Sequence, residues 1–290
     1  MRNIDESTIT PAVLAALAGT AGPRLKEILS ALVTHLHDFA REVRLTEDEW
    51  MRGIQFLTAT GHQCDAKRQE FILLSDTLGL SMLVIAMNHA KPAGATEATV
   101  FGPFHTDDAP CVEQGADLAD GAPGSPLFVD GHVRGIDGRP IADAKVDVWQ
   151  ADEDGLYDVQ RPELGDRRRA RGVLRTDAQG RVRFRTVTPV AYPIPVDGPV
   201  GDMLRASSRH PWRPAHVHFM IQAPGFETLV THIFRDQDSY LDSDVVFGVR
   251  SSLIGDFVRH EAGIAPDGTT LHTAFYTLEQ TFVLVAERAT

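Results

Sequence analysis

Arg213-Pro214-Ala215-His216-Val217-His218-Phe219 is the stretch from which the rest of the chain can be read. From His216 onward polar and apolar positions alternate, the period of a β-strand. Side chains two apart on a strand point to the same face. His216 and His218 therefore stand side by side, with Arg213 entering just before them on a path fixed by Pro214. Two imidazoles on one rigid face are half of a metal site. The question is what supplies the other half.

The same alternation surrounds this strand. It predicts strands at 127–135, 144–150, 182–187, 216–222, 228–234 and 273–285, with Ile136-Asp-Gly-Arg-Pro140 as the turn between the first two. Several short strands separated by turn residues point to a β-sandwich. Irregular stretches at 151–172 and 189–215 interrupt it, and loops on a rigid sheet are where sites gather.

Before Pro92 the pattern is helical. Thr10-Pro11 reads as cap and first residue of a short helix to Leu17. Pro23 opens a second helix, with Leu25, Ile28, Leu29, Leu32, Val33, Leu36 and Phe39 at three- and four-residue steps. Thr46-Glu-Asp-Glu49 is a capping box for a third. A fourth is expected from about Lys67 to Met87, apolar enough to be covered on more than one side. The predicted class is α+β: a helical linker domain over 1–98, then an antiparallel β-sandwich domain over 99–290.

A net charge of −12 disfavours nucleic acid and anionic membranes as partners. Two cysteines, Cys64 and Cys111, are too few for a disulfide framework and read as reduced thiols. The N-terminus lacks the apolar core of a signal peptide. The greasiest stretch, 78–87, is too short to span a bilayer. A cytoplasmic protein without membrane insertion is expected.

Of four tyrosines, Tyr157 and Tyr192 fall in the irregular stretches, within Gly155-Leu-Tyr157 and Tyr192-Pro-Ile-Pro195. Alone, each is compatible with packing. Together with the histidines they offer two hard, anionic phenolates and two imidazoles, a set suited to Fe(III) over Zn(II), Cu(I) or Mg(II).

This combination resembles the intradiol ring-cleaving dioxygenases. The resemblance runs through Val129-Asp-Gly131, Gly155-Leu-Tyr157, Tyr192-Pro-Ile-Pro195, Arg213-Pro-Ala-His-Val-His218, Ala223-Pro-Gly225 and Tyr240-Leu-Asp-Ser-Asp244. It implies one non-haem ferric ion, Fe(3+), per subunit, held by Tyr157, Tyr192, His216 and His218. It also implies that Tyr192 doubles as a catalytic proton acceptor and that Arg213 steadies charge developing on the ring. A homodimer through the N-terminal helices is implied as well, with a small aromatic diol or triol and O2 as partners.

Within the family the resemblance is to the branch acting on benzene-1,2,4-triol (hydroxyquinol), which yields 3-hydroxy-cis,cis-muconate and then maleylacetate. Its substrate-binding positions would be Leu73, Asp76, Val100, Phe101, Gly102, Pro103, Phe104, Ile194, Pro195, Arg213 and His232. Asp76 is the candidate partner of the extra hydroxyl, with a solvent-facing helix residue as its alternative reading. Two other functions stay open: cleavage of catechol or chlorocatechols, and, from another class, a β-sandwich binding module without a redox metal.

Overall fold

The structure, a computed structural model, describes residues 2–65 and 68–287. Two compact units divide the chain, Met1–Ala59 and Thr60–Thr290. In the first lie α1 (Ile9–Ala16), α2 (Pro23–Glu42) and most of α3 (Glu47–His62). Helix α1 starts at Ile9 and not at Pro11, because the Asp5 carboxylate accepts the amides of Ser7 and Thr8, each at 2.9 Å. Pro23 opens α2 as expected. The capping box before α3 forms: the Thr46 amide donates to Glu49 Oε2 at 2.9 Å and the Glu49 amide to Thr46 Oγ1 at 3.3 Å. Leu25, Ile28, Leu32, Leu36 and Phe39 of α2 are about half exposed, so the stripe is not buried within one copy of the chain.

The predicted fourth helix is two, α4 (Glu70–Thr77) and α5 (Leu80–Asn88), bent by 78°. Gly79 sits between them at φ +75°, a left-handed conformation that only glycine adopts without strain. Lys67, where that helix was expected to begin, lies outside the described residues. Both helices belong to the unit that holds the sheets. The change from helix to strand falls between Asn88 and Pro126, spanning the expected boundary. Among the described residues no single helix is long and apolar enough to cross a membrane.

The strands run β1 (Pro126–Gly135), β2 (Lys145–Gln150), β3 (Arg171–Arg175), β4 (Arg181–Val187), β5 (Tyr192–Pro193), β6 (Trp212–Arg213), β7 (His216–Gln222), β8 (Leu229–Arg235), β9 (Ile254–Gly255), β10 (Val258–His260), β11 (Gly263–Ile264), β12 (Thr270–Leu271) and β13 (Phe275–Leu284). Helix α6 (Pro199–Ala206) interrupts the long 189–215 connection. One sheet has the order β10-β13-β1-β4 and the other β3-β2-β7-β8-β9. Pairing is largely antiparallel; β1 with β13 and β8 with β9 are parallel, which the long connections between them allow. The Ile136–Pro140 turn forms, but it does not make a hairpin. It carries the chain from β1 in one sheet to β2 in the other, because both strands bury valines in the same core from opposite sides.

That core contains Val129 and Val133 of β1, Val146 and Val148 of β2, Phe184 of β4, Val217, Phe219 and Ile221 of β7, and Phe282 of β13. Each such side chain contributes about 1.5–3 kcal/mol on full burial. The strict alternation of β7 leaves His216 and His218 on the face turned away from this core. The sandwich therefore fixes where the site must be.

Candidate metal centre and substrate pocket

Strand β7 places His218 opposite Trp149 of β2 on one side and opposite His232 of β8 on the other. The Trp149 ring lies flat over His218, 4.7 Å between centroids. His216 stacks on His232, also at 4.7 Å. All three histidines are fully buried, and their ring nitrogens lie within 4.8 Å of one another. His216 Nδ1 is 2.7 Å from the Pro214 carbonyl oxygen, which can only accept. Nδ1 therefore carries the proton, and the lone pair of Nε2 faces the site. Burial pushes all three imidazoles well below their ordinary pKa, and the charge of Arg213 adds to this. They are neutral and able to act as ligands.

The tyrosines arrive from elsewhere. Tyr157 follows β2 in the 151–172 connection, and Tyr192 sits on β5, opposite Arg213 of β6. Tyr157 Oη is 2.8 Å from His218 Nε2 and 3.1 Å from Tyr192 Oη, and the two histidine Nε2 atoms are 3.2 Å apart. Donors each bound about 2.0–2.1 Å from one ion would be separated by about 2.8–3.4 Å. The donor set thus fits a metal ion. Burial, then the neighbouring Tyr192, raises the Tyr157 phenol well above its usual pKa, while Arg213 and Arg171 pull it down. A buried phenolate needs a compensating cation, so binding an ion there would release protons.

Arg213 is buried and forks onto Asp244, with Nε 3.2 Å from Oδ1 and Nη2 3.4 Å from Oδ2. Its other contacts are His216 Nε2 at 3.3 Å and His232 Nδ1 at 3.4 Å. Burial works against the guanidinium charge, but Asp244 and the two phenols outweigh it, so Arg213 stays cationic. Asp244 is fixed in turn by the amides of Val246 at 3.3 Å and Gly248 at 2.9 Å.

The expected pocket residues divide by position. Val100 and Ile194 are buried in one apolar cluster with Met82, Leu204, Val245 and Val246, and half-buried Leu73 packs against it. Asp76 is 5% exposed, which excludes the solvent-facing reading. Burial raises its carboxyl; a hydrogen bond with Ser81 and the charge of Arg213 oppose that. Phe101 tilts against Trp149 at 5.7 Å, and Phe104 stacks on Tyr157 at 4.4 Å. Gly102 passes so close to His218 that a Cβ there would come within 3.1 Å of the ring. Pro103 is exposed and Pro195 half-buried. His232, expected as a pocket residue, lies beside the donor atoms and is engaged by Arg213.

Three contributors were not singled out from sequence: Trp149 over His218, Asp244 paired with Arg213, and the buried pair Arg171–Asp158, whose Asp158 follows Tyr157 in the chain. A signal existed for Trp149, since alternation in Val146-Asp-Val-Trp-Gln150 puts it on the face away from the valines. The two ion pairs join residues 31 and 13 apart, across loops with no periodicity.

Comparison with known proteins identifies the family. A family profile described as "Dioxygenase" matches residues 100–284, and one described as "Catechol dioxygenase N terminus" matches residues 22–96. The 6-chlorohydroxyquinol 1,2-dioxygenase of Cupriavidus pinatubonensis is 61% identical over 284 residues, 98% of this chain and 99% of that protein. The crystal structure of hydroxyquinol 1,2-dioxygenase from Pseudomonas putida DLL-E4 superposes with a TM-score of 0.89 at 48% identity, covering 97% of this chain and 99% of that one. Catechol 1,2-dioxygenase from Pseudomonas arvilla C-1 does so with a TM-score of 0.85 at 30% identity, covering 99% and 94%. These are families of enzymes, which sets aside the reading of a binding module without redox chemistry. The chain belongs to the intradiol ring-cleavage dioxygenases.

Proposed function

We propose that this chain is an Fe(III)-dependent dioxygenase that cleaves benzene-1,2,4-triol between its adjacent hydroxyls, with Tyr157, Tyr192, His216 and His218 as ligands, one ion per subunit. The observation that carries the ligand set is the convergence of two phenol oxygens and two imidazole nitrogens within 2.8–3.2 Å contacts in a buried site. The substrate class is supported by the relatives at 61% and 48% identity, both of which act on hydroxyquinols by name. When bound, the ion supplies Lewis acidity toward the two substrate hydroxyls and makes the ring reactive to O2.

The chain's own residues do the rest. Tyr192 Oη accepts one substrate proton. Arg213, held by Asp244 on its far side, presents a fixed positive charge to the carbanion-like ring. Trp149 and Phe104 cover His218 and Tyr157 and keep water off the reacting oxygens. Asp76 recognises the third hydroxyl, since a buried carboxyl needs a polar partner. The protein acts in the cytoplasm, and the exposed apolar stripe of α2 is the contact of a homodimer.

The test is an anaerobic visible spectrum of the iron-loaded protein, with benzene-1,2,4-triol and catechol added separately before aeration. A broad phenolate-to-iron band that shifts with substrate, followed by fast turnover of the triol, is expected. Fast turnover of catechol instead would remove Asp76 from the specificity argument. Bound iron with no such band would replace the tyrosines by His232, leaving the three-histidine cluster as the donor set.

A further inference from the structure

A guanidinium is buried next to the tyrosine connection, paired with the residue that follows Tyr157. Arg171 is the first residue of β3 and sits opposite Trp149 of β2. Its side chain is fully buried, as is that of its partner Asp158. Nε lies 3.0 Å from Asp158 Oδ2, and Nη2 lies 2.6 Å from Oδ1. Nη2 also donates to the Phe104 carbonyl oxygen at 2.7 Å. A buried ion pair of this kind often contributes little to stability against an apolar replacement. Its position suggests another use.

Asp158 directly follows Tyr157 in the chain. Its carboxylate also accepts the amides of Val159 at 2.9 Å and Arg169 at 3.3 Å, so that side chain is held from three directions and ties the backbone on both sides of the connection to Arg171. Phe104 is the last residue of the pocket segment, and its ring lies on the Tyr157 ring. One guanidinium therefore grips the neighbour of a phenol donor and the backbone of the ring stacked on that phenol. The planar fork of arginine can do both at once; the single ammonium of lysine cannot reproduce the fork.

We infer that Arg171 is a positioning residue that holds Tyr157 and the Val100–Phe104 pocket segment in one register, so that metal donor and substrate wall move together. The inference rests on the reading of Tyr157 as a ligand. Residues that orient metal ligands from behind typically change metal affinity or activity about 10–100-fold when replaced.

The test compares three variants with wild type: Arg171→Met, Arg171→Lys, and the double variant Arg171→Met with Asp158→Asn, which leaves no ionised group buried unpaired. Fe(III) affinity, the position of the phenolate band, KM and kcat for the triol, and Tm are measured for each. The expected result is weaker iron binding by about 10–100-fold, a displaced band and a raised KM in all three, lysine included. Should the double variant fold with wild-type affinity, band and KM while only its Tm differs, Arg171 is a packing residue and the inference is overturned. Should wild-type protein bind iron without a phenolate band, the ligand reading fails first.

Discussion

The two histidines and the two tyrosines reach the same point by different means. His216 and His218 sit on β7, whose register is set by β2 on one side and β8 on the other, with Val217, Phe219 and Ile221 locked in the core. Tyr157 lies in an irregular connection, and Tyr192 on a two-residue bridge. Their placement depends on one ion pair, one ring stack and one short strand pairing: Arg171 on Asp158, Phe104 on Tyr157, and Tyr192 of β5 beside Arg213 of β6. The histidine half of the site is as rigid as the sandwich. The tyrosine half is as rigid as its tethers, and it is the half to which the proposed function assigns proton exchange.

The sharpest way to break this contrast is at the donors. His218→Ala should take bound iron below detection while leaving the sandwich folded, because β7 keeps its core face. Tyr192→Phe should slow turnover and shift the visible band while part of the iron stays. Iron analysis, circular dichroism and spectra check both. Equal loss in the two variants would mean that the halves do not differ as described.

Next in size is the tether of Arg213. Asp244→Asn leaves a buried guanidinium without its counter-charge, a loss of about 3–5 kcal/mol in a buried pair, readable by chemical denaturation. A change under about 1 kcal/mol would place the pair in solvent-screened surroundings, contrary to its burial.

A smaller effect is expected at Asp76. Asp76→Ala should reduce the preference for the triol over catechol by about tenfold, the worth of one buried hydrogen bond. The pH dependence has a definite sign. Burial raises the carboxyl, so the native state keeps its proton to higher pH than the unfolded chain does. Stability falls as pH climbs through the window above the ordinary carboxylate value. Arg213, Asp244 and Ser81 face this group and share in setting that window. Asp76→Asn, which cannot ionise, should lose that slope and be more stable than wild type at neutral pH. A slope unchanged by the substitution would assign it to another group.

The smallest effect belongs to the outer rim of the tyrosine loop. Arg168 pairs with Asp108, whose side chain is 60% exposed. Arg168→Ala should cost no more than about 1 kcal/mol and leave the spectrum unchanged. A displaced band would extend the tethering from the buried Arg171 to the surface.

Sequence alone determined the elements whose physics is local. Period-two alternation located β1, β2, β4, β7, β8 and β13 to within a few residues, and Pro23 and a capping box marked the starts of α2 and α3. The spacing His216-Val-His218 put both imidazoles on one face, because strand geometry admits no other result. Tertiary structure decided what depends on distant partners. It broke the fourth helix at Gly79, where a single left-handed residue outweighs a continuous apolar pattern. It turned the Ile136–Pro140 turn into a passage between sheets, since a turn fixes the local path and the core chooses which sheet each strand joins. It buried Asp76 and set Asp244 against Arg213. It also made β3 where no strand was expected, placing Arg171 against Asp158, the neighbour of Tyr157 in the chain. Charge pairs of this kind have no period to read, because their partners meet only after the loops between them have closed.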